Sequence, residues 1–421
     1  MRIAFFTDTF LPQINGVATC IANEARELGR RGHDVLIVTP KPKKGTEKAF
    51  KAPRVHIVQL TSMPSFVYPD FRISMFALRK VLAALREFDP DFIHLHTPIT
   101  VGLHAIVAAK MLHKPLAATN HVFITKENAD FLRSINGNAL VLKALSSASL
   151  ASARAIFDAA DLRLTPSKML IRDFRKDGYK RSIIHLPNPV AIAHSASEKL
   201  RADVRDAYGL EGKVILHFGR LSPEKSIDVL LRAFAVLKKS QVSGCLLIVG
   251  DGPARSALES LARRLKVEDS VIFAGAIDHD ALMQSGILAA ADLFVTASKS
   301  ENQPMAVLEA MAFGLPVVAV KEAGMIDLVD GAGVLIKADD PRAMAEAMEK
   351  VLHSPALAKK LSAHALKRAN EHSVAKHVDR LEELYADARR RFEKSRKPDS
   401  LSLKAGRAIM EGWETLTSNN G

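Results

Sequence analysis

The sequence predicts an α/β fold of two Rossmann-like domains facing across a cleft. Three observations carry this prediction: short apolar runs alternate with helical stretches, the cycle repeats, and the chain has 421 residues. Apolar or β-branched runs separated by longer segments of helical periodicity are the pattern of βαβ units and a parallel sheet. A chain of this length is long for one core and comfortable for two.

In the first cycle the expected strands are Arg2–Thr7, Val35–Thr39, His56–Gln59, Phe92–Leu95, Leu116–Thr119, Leu162–Pro166 and Ile183–Leu186. The helix after the first strand is expected from about Ala18 to Arg31, with Gly32 stopping it as a C-cap. The second cycle places strands at Val214–Phe218, Cys245–Val249, Val271–Phe273, Leu293–Thr296, Val317–Val320 and Val334–Ile336. Between the cycles, Asn188–Glu198 carries Pro189 and several small residues and reads as the linker. After about Ser373 the chain reads as a charged helix through Lys397. Pro398 breaks it before a last helical stretch, Leu401–Leu416.

Composition is that of an ordinary globular protein, and no apolar run approaches the roughly 18 residues that a membrane span needs. The first residues enter an apolar strand with no basic-then-apolar leader, so a cytoplasmic address is expected. Cys20 and Cys245 are far apart in apolar surroundings and read as buried free thiols. The net charge of +13 is unevenly spread: residues 1–190 hold 27 Lys/Arg against 15 Asp/Glu, and the remainder 32 against 31. A basic half suits a phosphorylated ligand, an anionic membrane surface or plain solubility. Nucleic acid is not expected as a partner, because the basic residues lack aromatic interleaving and no nucleic-acid motif occurs. Two clusters stand out, the loop Lys41–Arg54 and the run Arg389–Arg390–Arg391 with Lys394, Arg396 and Lys397. Each reads either as a solvated face or as a site for anionic lipid.

The strongest chemical signal is Glu301-Asn302-Gln303-Pro304-Met305-Ala306-Val307-Leu308-Glu309, closed by Ala-Met-Ala-Phe-Gly314-Leu-Pro316. Glu301 falls after the strand Leu293–Thr296, and Glu309 is expected about two turns into a helix over Met305–Phe313. In open α/β sheets ligands bind at that edge, and amides at the helix start suit phosphate oxygens. Here the sequence resembles the retaining GT-B glycosyltransferases, the glycogen synthase-like family that includes bacterial glycolipid glucosyl- and mannosyltransferases and sucrose synthase. The resemblance covers nearly the whole chain. It implies that Glu301 contacts sugar hydroxyls and that Glu309 holds the ribose of a nucleotide. Pro304 stands where many relatives have Gly and has no amide hydrogen, so a phosphate or sugar contact there falls to Gln303 or Met305.

The second signal is Phe218-Gly219-Arg220-Leu221-Ser222-Pro223-Glu224-Lys225. Gly219 permits a tight turn, and Arg220 and Lys225 bring two cations to the cleft mouth, where a leaving diphosphate gains negative charge. The resemblance implies that both bind the donor phosphates. The turn Asp8–Val17 is not the G-x-G-x-x-G fingerprint, which argues against a nicotinamide or flavin enzyme. By resemblance, Gly16 in it contacts the donor phosphates across the cleft. His121, in Thr119-Asn120-His121, has no nearby Ser or Asp motif suggesting a triad. The resemblance places it beside the transferred sugar, in a positioning and electrostatic role. Gly250 and Gly252, in Gly250-Asp251-Gly252-Pro253, and the loop Phe273-Ala274-Gly275 are expected by resemblance to line the nucleotide pocket.

Asp89-Pro90-Asp91 and Asp278-His279-Asp280 fit an Asp-x-Asp metal pattern, yet read as a proline turn and a solvated loop. With cations and helix ends available for charge neutralisation, no metal or cofactor is required. The resemblance implies an acceptor domain over residues 1–190, joined by C-terminal helices from about 375 to 421, and a nucleotide-sugar domain over 191–374. The expected activity is retaining transfer of a hexose from UDP-glucose or GDP-mannose, with UDP preferred, to a membrane lipid such as diacylglycerol. The lipid preference rests on the basic first half and on His94-Leu95-His96-Thr97-Pro98 and Thr119-Asn120-His121, which resemble glycolipid-forming relatives. Peripheral contact with the inner face of the cell membrane would follow. The alternatives are a soluble sugar, sugar phosphate or polysaccharide acceptor, an epimerase-like or nucleotide-sugar-binding protein, and a non-catalytic polyanion-binding protein.

Overall fold

A computed structural model describes residues 1–13, 15–46, 50–64, 72–75, 77–97, 100–121, 151, 153–192, 197–240, 242–299, 301 and 303–395. Outside the described residues lie Asn302, Pro98, Arg396, Lys397, Pro398 and the expected stretch Leu401–Leu416, together with Glu47 and Lys48 of the basic loop.

The first half forms strands β1 Arg2–Phe6, β2 Asp34–Pro40, β3 Val55–Leu60, β4 Ser62–Pro64, β5 Arg72–Ser74, β6 Phe92–Leu95, β7 Leu116–Thr119, β8 Leu162–Thr165 and β9 Ile184–His185. The second forms β10 Lys213–Phe218, β11 Gly244–Val249, β12 Val271–Gly275, β13 Leu293–Thr296, β14 Val317–Val320 and β15 Gly333–Ile336. Every expected strand is present; β1, β2, β6, β7, β10, β11, β13 and β14 are buried along nearly their whole length, and such parallel strands read as continuous apolar runs. The antiparallel ribbon of β4 and β5, with Met63 opposite Ile73, was not expected. Strands this short give no readable alternation.

Two wholly parallel sheets result. Seven strands are ordered β3-β2-β1-β6-β7-β8-β9, and six are ordered β12-β11-β10-β13-β14-β15. In each, the order reverses beside the first strand, between β1 and β6 and between β10 and β13. Such a reversal opens a crevice at the carboxyl ends of the strands. Apolar layers cover both faces of each sheet: Leu216, Phe294 and Leu308 share one core and Ile215, Phe234 and Leu246 another.

Five helices bear on the site: α1 Gly16–Arg30, α2 Thr100–Leu112, α3 His279–Gln284, α4 Met305–Ala312 and α5 Val374–Ser395. Helix α1 begins two residues before its expected start, because the Asn15 side chain accepts the Ala18 amide at 2.9 Å. Helix α5 returns to the first half. Val378, Leu381, Leu384, Tyr385 and Ala388 join its core, and Arg31 binds Asp379 at 2.6 Å and Glu382 at 2.9 Å.

The chain passes between the halves twice, at residues 188–192 and 372–374, and the two passages lie side by side. The Val190 amide donates to the His372 carbonyl at 2.9 Å, and the Val374 amide to the Val190 carbonyl at 3.1 Å.

Candidate active site

Strand topology brings two loops from each sheet to its reversal point: those after β1 and β6 in the first half, and those after β10 and β13 in the second. Lys225 and Glu301 come from the adjacent β10 and β13 ends and form a direct ion pair. The Ser298 hydroxyl donates to the same Glu301 oxygen at 2.9 Å. Arg220, from the same loop as Lys225, pairs with Glu224 at 3.1 Å, and Ser222 donates to that carboxylate at 2.6 Å. Beneath them His217 is fully buried on β10, and its Nδ1 donates to the Val295 carbonyl at 2.9 Å. Burial holds its imidazole near a pKa of about 4, so the ring is neutral.

Gly219 and Gly250 form a close backbone crossing, since a Cβ on Gly250 would lie 1.9 Å from the Gly219 carbonyl oxygen. Both have positive φ, 143° and 140°. Gly252 approaches Leu221 in the same way, with 2.4 Å left for a Cβ. These glycines seat one loop on the next.

Met305 opens helix α4 and is 8% exposed. Gly16 lies against it, with 2.9 Å between a notional Cβ and Met305 Cγ, so the start of α1 abuts the start of α4 across the cleft. The Gln303 side-chain oxygen accepts the Asn188 amide at 2.7 Å, tying the segment before α4 to the crossing. Glu309 is buried just over one turn into α4, not two as expected: the helix starts at Met305 as expected, and the four residues from there to Glu309 span little more than one turn.

Glu309 accepts from His279 Nε2 at 2.8 Å. The expectation of a solvated loop at Asp278-His279-Asp280 is therefore corrected. Asp278 caps α3 by accepting the Ala281 amide, His279 reaches Glu309, and Asp280 binds Arg26 of α1 at 2.6 Å. Burial lowers the His279 pKa, but the bond to Glu309 and the nearby carboxylate charges outweigh it, and the net shift is upward. Asp89 and Asp91 also do structural work. Asp89 takes Lys114 at 2.7 Å, and Asp91 takes Arg389 at 2.9 Å and the Arg2 amide at 2.8 Å.

His121 lies two residues after β7, 6% exposed, in a buried polar cluster. Its Nε2 lies 3.3 Å from His96 Nδ1, and its ring hydrogen-bonds the Asn188 side chain. Burial depresses its pKa to about 4. Glu24, His94 and His96 each bring a potential ligand atom within 4.8 Å of the others. Both His94 nitrogens are engaged outside the trio, with the Tyr385 hydroxyl at 2.5 Å and the Thr119 hydroxyl at 2.7 Å.

The arrangement thus brings Lys225 to Glu301, Gly16 to Met305, and Gly219 to Gly250. It joins His121 to Gln303 through Asn188. Arg220 pairs within its own loop, and Glu309 meets His279 and not another expected site residue. Sequence reading missed His279, Asn188, Glu24 and His96. For His279 a signal existed, since Asp278 ahead of His-Asp-Ala-Leu-Met-Gln is an N-cap just past the carboxyl edge of a strand.

Comparison with known proteins agrees with this architecture. The family model for Glycosyltransferase Family 4 matches residues 14–194, and that for Glycosyl transferases group 1 matches residues 203–368. An alpha-monoglucosyldiacylglycerol synthase of Streptococcus pneumoniae is 31% identical over 330 residues, covering 76% of this chain and 71% of that protein. A GDP-mannose-dependent alpha-mannosyltransferase of Mycobacterium tuberculosis is 30% identical over 335 residues, covering 78% and 81% respectively. Among solved structures, Anabaena HepE in complex with UDP matches with a TM-score of 0.70 at 21% identity, over 92% of this chain and 100% of that one, which shows a shared fold. Two doubly wound domains and these matches define a glycosyltransferase. The chain belongs to the GT-B glycosyltransferase family.

Proposed function

We propose that this protein is a retaining, metal-independent hexosyltransferase, with UDP-glucose or GDP-mannose as donor and a membrane lipid such as diacylglycerol as acceptor. The observation that carries the reading is the Lys225–Glu301 pair at the second reversal point, with Gly16 seated on the start of α4 opposite it. Residues 1–190 with α5 form the acceptor side in this reading, and residues 191–374 the donor side.

The reaction breaks the bond between the anomeric carbon and the phosphate oxygen, and the nucleoside diphosphate leaves with the electron pair. An acceptor hydroxyl bonds to the same face of that carbon, and its proton passes to the departing phosphate oxygen. Lys225 and Arg220 stabilise the growing phosphate charge, aided by the amides that open α4. Gly16, Gly219, Gly250 and Gly252 let the backbone approach the nucleotide. Glu309 takes the ribose hydroxyls, Glu301 the sugar hydroxyls, and Gln303 and Met305 flank the phosphates. His121 orients the sugar. No step calls for a metal.

The lipid acceptor is supported by the name of the Streptococcus pneumoniae relative and by the basic first half of the chain. The donor pair is supported by the glucosyl and GDP-mannose names of the two relatives.

Acceptor-dependent release of free nucleoside diphosphate tests the reading. UDP-glucose and GDP-mannose are supplied in turn, with diacylglycerol vesicles or soluble sugars as acceptor. Release that occurs equally without acceptor, or not at all, refutes transfer. Release only with soluble sugars moves the assignment to a soluble acceptor. Glu309→Ala is expected to weaken nucleoside diphosphate binding about ten-fold or more by calorimetry, the loss of a charge-assisted hydrogen bond. Flotation with anionic vesicles at low salt tests the membrane contact, and absence of binding removes it.

A further inference from the structure

We propose that Glu24, acting through His96, is a positioning residue that fixes the tautomer and ring orientation of His121. The assignment rests on the reading of His121 as the group beside the transferred sugar.

Glu24 lies on the inward face of α1, 3% exposed. Burying a carboxylate is costly unless it is paired, and an apolar side chain would fill the place at less cost. One oxygen is fully used: it accepts from His377 Nε2 at 2.9 Å and from the Cys20 thiol at 3.3 Å. His377 Nδ1 faces the Pro187 carbonyl at 2.7 Å, so both its nitrogens are engaged. The second Glu24 oxygen, Oε2, has no hydrogen-bond partner and faces His96 Nε2 at 3.8 Å. That nitrogen also has no partner. Two buried orphans of complementary chemistry pointing at one another are a contact a small shift would close.

The chemistry then runs one way. A carboxylate only accepts, so His96 carries its proton on Nε2. Burial keeps His96 neutral, which leaves Nδ1 as its acceptor. The nitrogen 3.3 Å away, His121 Nε2, must donate to it. The near-parallel rings, 17° apart, hold that geometry. His121 is thereby held as the Nε2–H tautomer. Carboxylate-to-histidine contacts of this kind set tautomer and basicity in other sites. The charged and titratable groups around His121 are Glu24 and Cys20 on α1, His94 on β6 and His96 just after it, and His377 and Tyr385 on α5.

The test uses the full chain labelled with 15N-histidine, with His121 signals assigned by their loss in His121→Asn. Glu24→Leu removes the relay. His121 is expected to lose its single-tautomer nitrogen shifts, and kcat is expected to fall about ten-fold while the donor KM stays within about two-fold. Glu24→Gln keeps an oxygen for His96 without the charge. It is expected to retain the tautomer and most of kcat while His121 titrates at lower pH, because the Glu24 charge that favours the imidazolium is gone. Should Glu24→Leu fail to fold, Glu24→Gln decides alone through that titration. Unchanged His121 shifts in Glu24→Leu, or an unchanged titration in Glu24→Gln, overturns the proposal. The nitrogen shifts are read without turnover. An inactive protein whose His121 responds to Glu24 would therefore fail as a transferase and still bear out the relay.

Discussion

Single residues in the cleft do two kinds of work, and substitution separates them. Gly250 is structural in a strict sense: a methyl group there would strike the Gly219 carbonyl oxygen at 1.9 Å, at a φ of 140°. Backbone cannot yield as a side-chain tip can, so Gly250→Ala should cost about 2 kcal/mol or more in a urea titration. His279 is electrostatic. Its folded pKa lies above the unfolded value, so its stabilising contribution is complete below about pH 6.5 and disappears as pH rises through the raised value. Measured by urea midpoint, the penalty of His279→Asn should be larger at pH 5.5 than at pH 8.5. An equal penalty at both would show that the Glu309 contact carries no charge. Glu301, Lys225 and Gly16 were legible from sequence because each stands beside a strand end or helix start that sequence also marks. Glu24 was readable as a charge on the buried stripe formed by Cys20, Ile21, Ala25 and Leu28. Its partners were not, because His96 and His377 are distant in sequence.

Among elements, α5 has the widest influence on the first half. Its Tyr385 is fully buried and donates or accepts at His94 Nδ1, while Arg389 reaches Asp91. Tyr385→Phe keeps the ring and leaves a buried imidazole nitrogen unpaired, a loss of about 1 to 3 kcal/mol by denaturant titration. A value near zero would mean that the hydroxyl bond is not formed in solution. The basic cluster on this helix is partly explained by the same packing. Arg389 pairs with Asp91 and Glu393, and Arg390 with Asp387, so these two arginines are held by protein carboxylates. The helix itself was legible from its charged periodicity, but its docking face was not, since that depends on the grooves of another domain. The β4–β5 ribbon was missed for lack of length.

Across the whole molecule, buried neutral histidines make acid the vulnerable side. His121 in the first half and His217 in the second are both held near a pKa of about 4 by burial. Each takes up a proton on unfolding between roughly pH 6.5 and pH 4, which lowers stability by up to about 1.4 kcal/mol per pH unit per group. A stability profile flat from pH 7 to pH 4.5 would contradict their burial. The Arg26–Asp280 contact across the cleft is half exposed, so Arg26→Ala should leave thermal stability within about 2 °C of the parent. The two-sheet plan followed from the repeated strand-helix cycle alone. The side-by-side passages between the halves were invisible there, because Val190 and Ser373 pair across the length of a domain. The return of α5 also sets a timetable for synthesis. Tyr385 and Leu384 complete the core that Phe5 and Ile37 begin, so that core stays unfinished until α5 leaves the ribosome. At about 5 to 20 residues per second that interval is roughly 10 to 40 seconds, during which nascent apolar surface is open to chaperones.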